Sequence, residues 1–198
     1  MTPYEIMRVL CESILPAIYG KVRGDIKRML QVTPEQLPQL LDVGGRKSPY
    51  TIGLNARITI MVIPREGEVR ERLNLGLTDE ILAQIKCKRS NIDRVLIEDM
   101  TQCTLPAEQF DGVVSIEVIE HVPQDHRFVE QIMRVLKPGG WLYVTTPNGD
   151  YCQNVPPNYN PDHIRHYTRQ HLHDLLADFF DDVCVTYGIM TGKHRFRG

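Results

Sequence analysis

Residues 39–46, which read QLLDVGGR, constrain the fold of this chain more than any other segment. Gln39, Leu40, Leu41 and Val43 supply the short apolar run that is typical of a strand covered on both faces, with the acidic Asp42 within it. Gly44 and Gly45 follow at once, and glycine lets the backbone take positive φ or approach a ligand closely. A turn of this kind after the first strand of an open α/β sheet is where nucleotide-like cofactors bind. The segment therefore predicts a parallel α/β sheet with a ligand site at the end of its first strand.

Strand and helix patterns alternate along the rest of the chain. The predicted strands are residues 39–43, 58–63, 94–97, 112–116, 141–145 and 183–189. The predicted helices are residues 2–30, interrupted at Pro16 and Gly20, and then 78–88, 124–136 and 168–180. Because such alternation produces a parallel sheet with helices on both faces, we expect a doubly wound α/β fold.

Length and composition favour a cytoplasmic globular protein. The 198 residues suffice for one domain. We divide it into an N-terminal helical cap (1–32), a ligand-binding core (39–150) and a C-terminal part with a long loop, a helix and the last strand (151–198). A net charge of −2 argues against nucleic acid or a membrane surface as partner. The 5 scattered cysteines form no C-x-x-C pair, and the N-terminus has no basic start before an apolar run, so a reducing compartment is expected.

Two further segments are more specific than the glycine turn. Residues 111–121 read DGVVSIEVIEH through the fourth predicted strand, and residues 134–146 read RVLKPGGWLYVTT before and through the fifth. Together with the glycine turn, they resemble the class I S-adenosylmethionine-dependent methyltransferases, in the broad small-molecule branch that contains ubiquinone-pathway and natural-product enzymes. The resemblance covers residues 40–180. It implies a Rossmann-like fold with strand order 3-2-1-4-5 followed by the last strand, S-adenosylmethionine as cofactor and S-adenosylhomocysteine as product. The family's sheet usually ends in an antiparallel hairpin, and because few residues follow residue 189 we expect this hairpin to be incomplete.

The resemblance implies cofactor-binding roles at the glycine turn. Asp42 would fix the turn, or would bind the ammonium of the cofactor's amino-acid part. The backbone of Gly44, Gly45 and Arg46 would pass beside the methionine and ribose portions.

The same resemblance assigns roles at the ends of the third and fourth strands. Asp99 would accept a hydrogen bond from the adenine amino group, and the Met100 amide would face the adenine ring. Ser115 and Glu117 would lie beneath the sulfonium.

Two positions depart from the family pattern. The usual D-x-G-x-G-x-G turn carries Arg46 and Ser48 in place of its second and third glycines, so the loop must take a different path. The second predicted strand carries Val62 where an acidic residue usually binds the ribose hydroxyls. Glu66 or Glu68 would have to substitute for it. Without them, the loss of one charge-assisted hydrogen bond costs about 1.5–3 kcal/mol of binding energy.

Histidines near the predicted methyl-transfer position are the candidates for catalysis. His163 and His166 lie in the long loop after the fifth strand, and His121 follows the fourth. Imidazole titrates near neutral pH, so we expect His163, His166 or His121 to assist deprotonation of the acceptor. The alternative for the two loop histidines is that they order the loop by hydrogen bonding to its backbone. Glu117, Glu120 and His121 also form E-x-x-E-H, a set with which some related methyltransferases, using a further histidine, hold a divalent cation. We favour local hydrogen bonding and cofactor contact for this set, and therefore expect no metal.

The sequence thus predicts an enzyme that transfers a methyl group to oxygen, or else nitrogen, of a small molecule. A homodimer is a further expectation, because the last strand would leave an exposed sheet edge. The main alternative is a catalytically inactive methyltransferase fold that binds or regulates a partner, which the altered turn and Val62 support. A nicotinamide-dependent enzyme is disfavoured by the absence of G-x-G-x-x-G.

Overall fold

The computed structural model describes residues 1–11, 17–30, 36–45, 49–63, 79–157 and 159–188. In these ranges the helices are α1 (Pro3–Leu10), α2 (Ala17–Met29), α3 (Asp79–Lys88), α4 (Asp125–Val135) and α5 (Arg169–Ala177). The strands are β1 (Gln39–Val43), β2 (Arg57–Val62), β3 (Ile92–Ile97), β4 (Phe110–Ile116) and β5 (Leu136–Thr145). Short 3-10 turns follow β3 at Met100–Gln102 and β4 at Ile119–His121.

The strands form one sheet in the order β3-β2-β1-β4-β5, and every pair is parallel. β1 lies at the centre, and its side chains alternate between the two faces. Leu41 and Val43 join the apolar cluster on one face, while Leu40 joins the cluster on the other. The predicted doubly wound fold and strand order are therefore confirmed.

Helices cover both faces of the sheet. Phe128 and Ile132 of α4 pack on the face of Leu41, and Val22 and Ile26 of α2 pack on the opposite face. Each of these side chains is at most 2% exposed, and its burial contributes about 1.5–3 kcal/mol. This packing holds the helices against the sheet. None of the helices in the described ranges is long and apolar enough to cross a membrane.

The N-terminal helices agree with the sequence prediction except at one glycine. The Glu5 N–H donates to Thr2 Oγ1 at 3.2 Å, and the Thr2 N–H donates to Glu5 Oε2 at 2.6 Å, so the capping box is confirmed. The predicted interruption at Gly20 is wrong, because Gly20 lies inside α2. A helical glycine costs about 1 kcal/mol, and the burial of Val22 and Ile26 outweighs it. The predicted interruption at Pro16 lies outside the described residues.

The segment Lys137-Pro138-Gly139-Gly140 was predicted to separate the fourth helix from the fifth strand, but β5 already begins at Leu136. The register between β4 and β5 shifts between Phe110 and Gly112, and Gly139 has a φ of +75°, so an irregular strand start absorbs these residues. Pro138 is tolerated because β5 is an edge strand, which does not need its N–H.

The last predicted strand is wrong over its described part. Residues 183–188 form no strand, and Ile189 lies outside the described residues. Residues of this segment and of β5 both line a cavity of about 900 Å³, and in the described ranges the sheet ends at β5. Val183 and Val185 pack instead against the apolar cluster on the α4 face.

Candidate functional site

The glycine turn lies where the sequence analysis places it, at the carboxyl end of β1. The Gly44 N–H donates to the Met61 carbonyl at 2.8 Å, which ties the turn to β2. Gly44 has a φ of +75°, and a Cβ there would come within 2.6 Å of Val118. A Cβ on Gly45 would lie 2.1 Å from the Asp42 carboxylate carbon. Both positions therefore require glycine, because the space where a Cβ would lie is already filled by Val118 and by the Asp42 carboxylate.

Asp42 lies beneath this turn and is fully buried. Its Oδ2 accepts a hydrogen bond from the Thr51 hydroxyl at 2.5 Å, while Oδ1 has no partner among the described residues. Burial raises the pKa of Asp42 to about 6, against the opposing influence of Arg89 and Thr51. The contact of the carboxylate with Gly45 supports the predicted role in fixing the turn, and the unpartnered oxygen could also receive a donor from a ligand.

Arg46 and Ser48, the two departures at the turn, lie outside the described residues, as do Glu66 and Glu68. Val62 ends β2 and is only 7% exposed, packed in the apolar cluster on the α2 face. The described residues therefore place no carboxylate at the end of β2.

Asp99 and Met100 follow β3 at the same edge of the sheet. Asp99 is exposed, but its Oδ1 accepts hydrogen bonds from both the N–H and the hydroxyl of Thr101, each at 2.8 Å. This carboxylate therefore caps a 3-10 turn, and only Oδ2 remains for a ligand. Met100 is 2% exposed and belongs to the core.

Ser115 and Glu117 lie at the end of β4. Ser115 is buried, and its Oγ has no hydrogen-bond partner in the described part of the chain. Glu117 has a φ of +54°, a left-handed conformation that is uncommon outside glycine. The Thr145 hydroxyl donates to the Glu117 carboxylate at 2.8 Å. Backbone strain of this kind concentrates at functional sites.

Glu120, His121 and His163 come together beside this strand end. One carboxylate oxygen and one ring nitrogen from each histidine lie within 4.8 Å of one another. Glu120 is fully buried, and neither of its oxygens has a partner among the described residues. Burial first and the carboxylate of Glu117 second raise the pKa of Glu120 to about 7. Its position in E-x-x-E-H was visible in the sequence, but its burial was not.

Hydrogen bonds assign the tautomers of the three histidines. His121 Nδ1 lies 2.7 Å from the Asp162 carbonyl, and His166 Nδ1 lies 2.6 Å from the Cys152 carbonyl. A carbonyl only accepts, so both Nδ1 atoms carry the proton, and in the neutral rings both Nε2 atoms are acceptors.

The same reasoning extends to His163. His163 Nδ1 lies 2.8 Å from His166 Nε2 and must donate to it, which leaves a lone pair on His163 Nε2. Burial, together with His121 and His166, lowers the pKa of His163. The three histidines predicted from the sequence therefore lie close together. His166 accepts a hydrogen bond from His163 on one side of its ring, and His121 lies beside His163.

The loop that carries His163 and His166 is fixed at several points. Arg165 pairs with Asp125 and donates to the Pro123 carbonyl at 3.0 Å. The Tyr167 hydroxyl donates to Asp125 at 2.8 Å. The Ile164 N–H donates to the Glu120 carbonyl at 2.8 Å, which joins the loop directly to the end of β4. Sequence reasoning did not find this clamp, because its members are 40 or more residues apart.

The cavity beside β5 extends to this edge of the sheet. Tyr50, Glu117 and Thr145 line it where it reaches the strand ends. Tyr19 of α2 stacks on Tyr50 with ring centroids 5.0 Å apart, so α2 helps to close this space. Tyr4 of α1 lies near Lys88.

The proteins and the family profile that this chain resembles in sequence are all described as methyltransferases. A family profile described as "Methyltransferase domain" matches residues 66–144. A "Probable S-adenosylmethionine-dependent methyltransferase" of Mycolicibacterium smegmatis is 29% identical over 62% of this chain and 48% of its own length. The ubiquinone biosynthesis O-methyltransferase of Salmonella typhi is 24% identical over 87% of this chain and 77% of its own length. The chain thus spans about half of the first relative and three quarters of the second.

Solved structures share the fold. A SAM-dependent methyltransferase from Aquifex aeolicus has a TM-score of 0.53 and 16% identity, and the match covers 79% of this chain and 77% of the other. A Burkholderia thailandensis N1-methyltransferase, crystallised with 1,6-didemethyltoxoflavin and S-adenosylhomocysteine, has a TM-score of 0.55 and 16% identity, covering 79% and 66%. At these identities the likeness establishes the fold alone, so the substrate must be inferred from the residues of the site.

Proposed function

We propose that this chain is a class I S-adenosylmethionine-dependent methyltransferase, and that it transfers a methyl group from S-adenosylmethionine to a hydroxyl oxygen of a small molecule with His163 as proton acceptor. The observation that carries the proposal is the lone pair on His163 Nε2, held next to His121 and Glu120 at the carboxyl end of β4. The named O-methyltransferase among the relatives supports oxygen as the acceptor atom.

The residues at the glycine turn fit the cofactor. Asp42 Oδ1 and Ser115 Oγ are buried polar atoms with no partner in the described chain, and Asp42 lies directly beneath the turn at Gly45. We assign Asp42, Gly44, Gly45, Ser115 and Glu117 to the cofactor's amino-acid and sulfonium end. Bound there, S-adenosylmethionine supplies an electrophilic methyl group.

Asp99 and Met100 are assigned to the adenine end of the cofactor. Asp99 Oδ2 accepts no hydrogen bond from the described residues and could accept one from an adenine amino group. Arg46 completes the proposed set at the turn.

The histidines would prepare the acceptor. A hydroxyl oxygen is a weak nucleophile until its proton is removed, and positioned general bases contribute about 10²–10⁴-fold to such steps. The proton would move from the acceptor oxygen to His163 Nε2, while His166 holds the opposite side of the ring. The lowered pKa of His163 keeps this nitrogen unprotonated at neutral pH.

A second role for the same cluster has a specific observation in its favour. Glu120 presents two buried oxygens without partners, and His121 and His163 both keep Nδ1 bonded to a second group, an arrangement common for histidines that ligate metals. These three residues would hold a divalent cation, which would polarise the acceptor oxygen. The sequence analysis favoured no metal, so this is the alternative that the experiment must separate.

The alternative of a catalytically inactive methyltransferase fold that binds or regulates a partner is not favoured. A buried carboxylate with a raised pKa and no partner destabilises a fold, and proteins keep such groups mainly where function needs them. Glu120 is a group of this kind.

The first experiment is calorimetric titration with S-adenosylhomocysteine, followed by a methyl-transfer assay. S-adenosylmethionine is incubated with a panel of phenols, catechols, aliphatic alcohols and primary amines, and S-adenosylhomocysteine release is measured with and without EDTA. The expected result is turnover of at least one hydroxyl compound, reduced about 10²-fold or more in His163→Gln but unchanged in His173→Gln, an exposed histidine of α5.

The outcomes separate the alternatives. Loss of turnover in EDTA with recovery on adding Mg²⁺ or Zn²⁺ would assign the cluster to a cation. Turnover of amines alone would replace oxygen by nitrogen as the acceptor. Binding of S-adenosylhomocysteine with full activity in His163→Gln would contradict the role of His163.

A further inference from the structure

Arg89 is a buried cation that the proposed chemistry does not use. It follows the last residue of α3 and is 5% exposed. Its Nη2 donates to Thr51 Oγ1 at 2.7 Å, and its Nε is buried without a partner in the described part of the chain. A buried guanidinium is expensive unless a nearby negative charge compensates it, so the position of this side chain needs an explanation.

Thr51 connects Arg89 to Asp42. A guanidinium has only donors, so the Thr51 oxygen must accept from Arg89, and its single proton is then free to go to Asp42 Oδ2 at 2.5 Å. Arg89 therefore determines the direction of the Thr51 hydroxyl. Its positive charge also lowers the pKa of Asp42, against the larger effect of burial, which raises it.

Asp42 in turn supports the glycine turn. Its carboxylate atoms lie 2.1–2.5 Å from the point where a Cβ of residue 45 would be, so the carboxylate fills the space under Gly45. A carboxylate released from Thr51 could rotate out of this space, and the backbone of the turn would lose its support.

Two anchors hold the ends of this chain of contacts. Glu5 of α1 accepts from the Ser90 N–H at 2.8 Å and from the Ser90 hydroxyl at 2.7 Å, which fixes the backbone next to Arg89. Arg23 of α2 donates to the carbonyls of Tyr50 at 3.2 Å and Ile52 at 2.5 Å, on either side of Thr51. The N-terminal helices thus hold both Arg89 and Thr51 in place.

We propose that Arg89 is a positioning residue for cofactor binding, which acts through Thr51 to hold the Asp42 carboxylate beneath Gly45. This inference rests on the proposed function, because it takes the turn at Gly44 and Gly45 as the cofactor site. Arg89 itself touches neither the cofactor nor the acceptor.

The test is the affinity for S-adenosylhomocysteine, measured by calorimetry in the full chain. Arg89→Met is expected to weaken binding about tenfold or more, as is usual when a residue behind a ligand group is removed. Thr51→Val should weaken it similarly, whereas Thr51→Ser, which keeps the hydroxyl, should remain within about threefold of wild type. The control is Arg94→Met, because Arg94 also donates to a threonine, Thr59 at 3.3 Å, on the neighbouring strand.

A double-mutant cycle separates positioning from general destabilisation. If Arg89 acts through Asp42, then Asp42→Asn combined with Arg89→Met should bind no more weakly than Asp42→Asn alone. Additive losses would overturn the proposal, as would equal affinity of Arg89→Met and wild type. If Arg89→Met does not fold, the comparison of Thr51→Val with Thr51→Ser decides the question, and equal binding by these two overturns it. Failure of the wild type to bind S-adenosylhomocysteine would instead refute the cofactor site itself.

Discussion

Replacing Glu120 by glutamine should stabilise the folded protein at pH 8 relative to pH 5. Glutamine has nearly the same shape and no charge, so it can occupy the buried position at lower cost. Neither Glu120 oxygen has a hydrogen-bond partner in the described part of the chain, and burial outweighs the lesser influence of Thr146, which favours the ionised form.

The size of the effect follows from the pKa. Burial, and then the charge of Glu117, raise the pKa of Glu120 from its ordinary 4.5 to about 7. Between these values the folded protein holds a proton that the unfolded chain releases, so the free energy of unfolding falls as the pH rises through this window. At 1.36 kcal/mol per pKa unit, the full loss above pH 7 is about 3 kcal/mol. Glu120→Gln lacks this loss, whereas the contribution of Asp42 is common to both proteins and cancels.

The assay is urea unfolding of wild type and Glu120→Gln at pH 5 and pH 8, in EDTA so that no bound cation holds the carboxylate ionised. The variant should gain about 2–3 kcal/mol relative to wild type between the two pH values. Glu130→Gln, which removes an exposed carboxylate on α4, is the control and should show no such gain. A constant difference between wild type and Glu120→Gln would refute the account of Glu120 as a desolvated, unpaired carboxylate.

Three further substitutions test the site and its supports. Gly45→Ala should displace the Asp42 carboxylate from beneath the turn and weaken S-adenosylhomocysteine binding about 10–100-fold in calorimetry. In the control Gly24→Ala, the added Cβ meets nothing within 4 Å, so binding should be unchanged. Equal effects of the two substitutions would contradict the geometry of the turn. Arg165→Met should lower methyl transfer without changing cofactor affinity, because it releases the histidine loop from Asp125; a loss of affinity in the same measurement would argue against a loop-positioning role. Thr168→Ala should lower the free energy of unfolding by about 1 kcal/mol in a denaturant titration, because the Thr168 hydroxyl caps α5 at the His171 N–H; no change would mean that the cap contributes nothing.

Local rules explain which parts of the fold could be predicted. β1 was predicted with its observed bounds, because a buried parallel strand needs an uninterrupted apolar run and the glycine pair ends it. The capping box at Thr2 and the cap at Thr168 were also readable, since each depends on residues three apart in sequence. The errors at Gly20, at the start of β5 and at residues 183–188 arose where packing against other elements decides whether a segment extends, ends or pairs.

The amino-acid sequence by itself determined the parallel α/β fold, the strand order and the edge of the sheet at which the glycine turn, Asp99 and Glu117 lie. These features follow from patterns that repeat over a few residues and from the rule that parallel strands end on one side. Only the tertiary structure decided that Glu120 is buried without a partner, that His166 stands behind His163, and that Arg89 reaches Asp42 through Thr51. Arg89 and Thr51 are 38 residues apart, and His166 is 14 residues from the Cys152 carbonyl that fixes its ring. No local period encodes such contacts, because the paths of the loops bring these groups together.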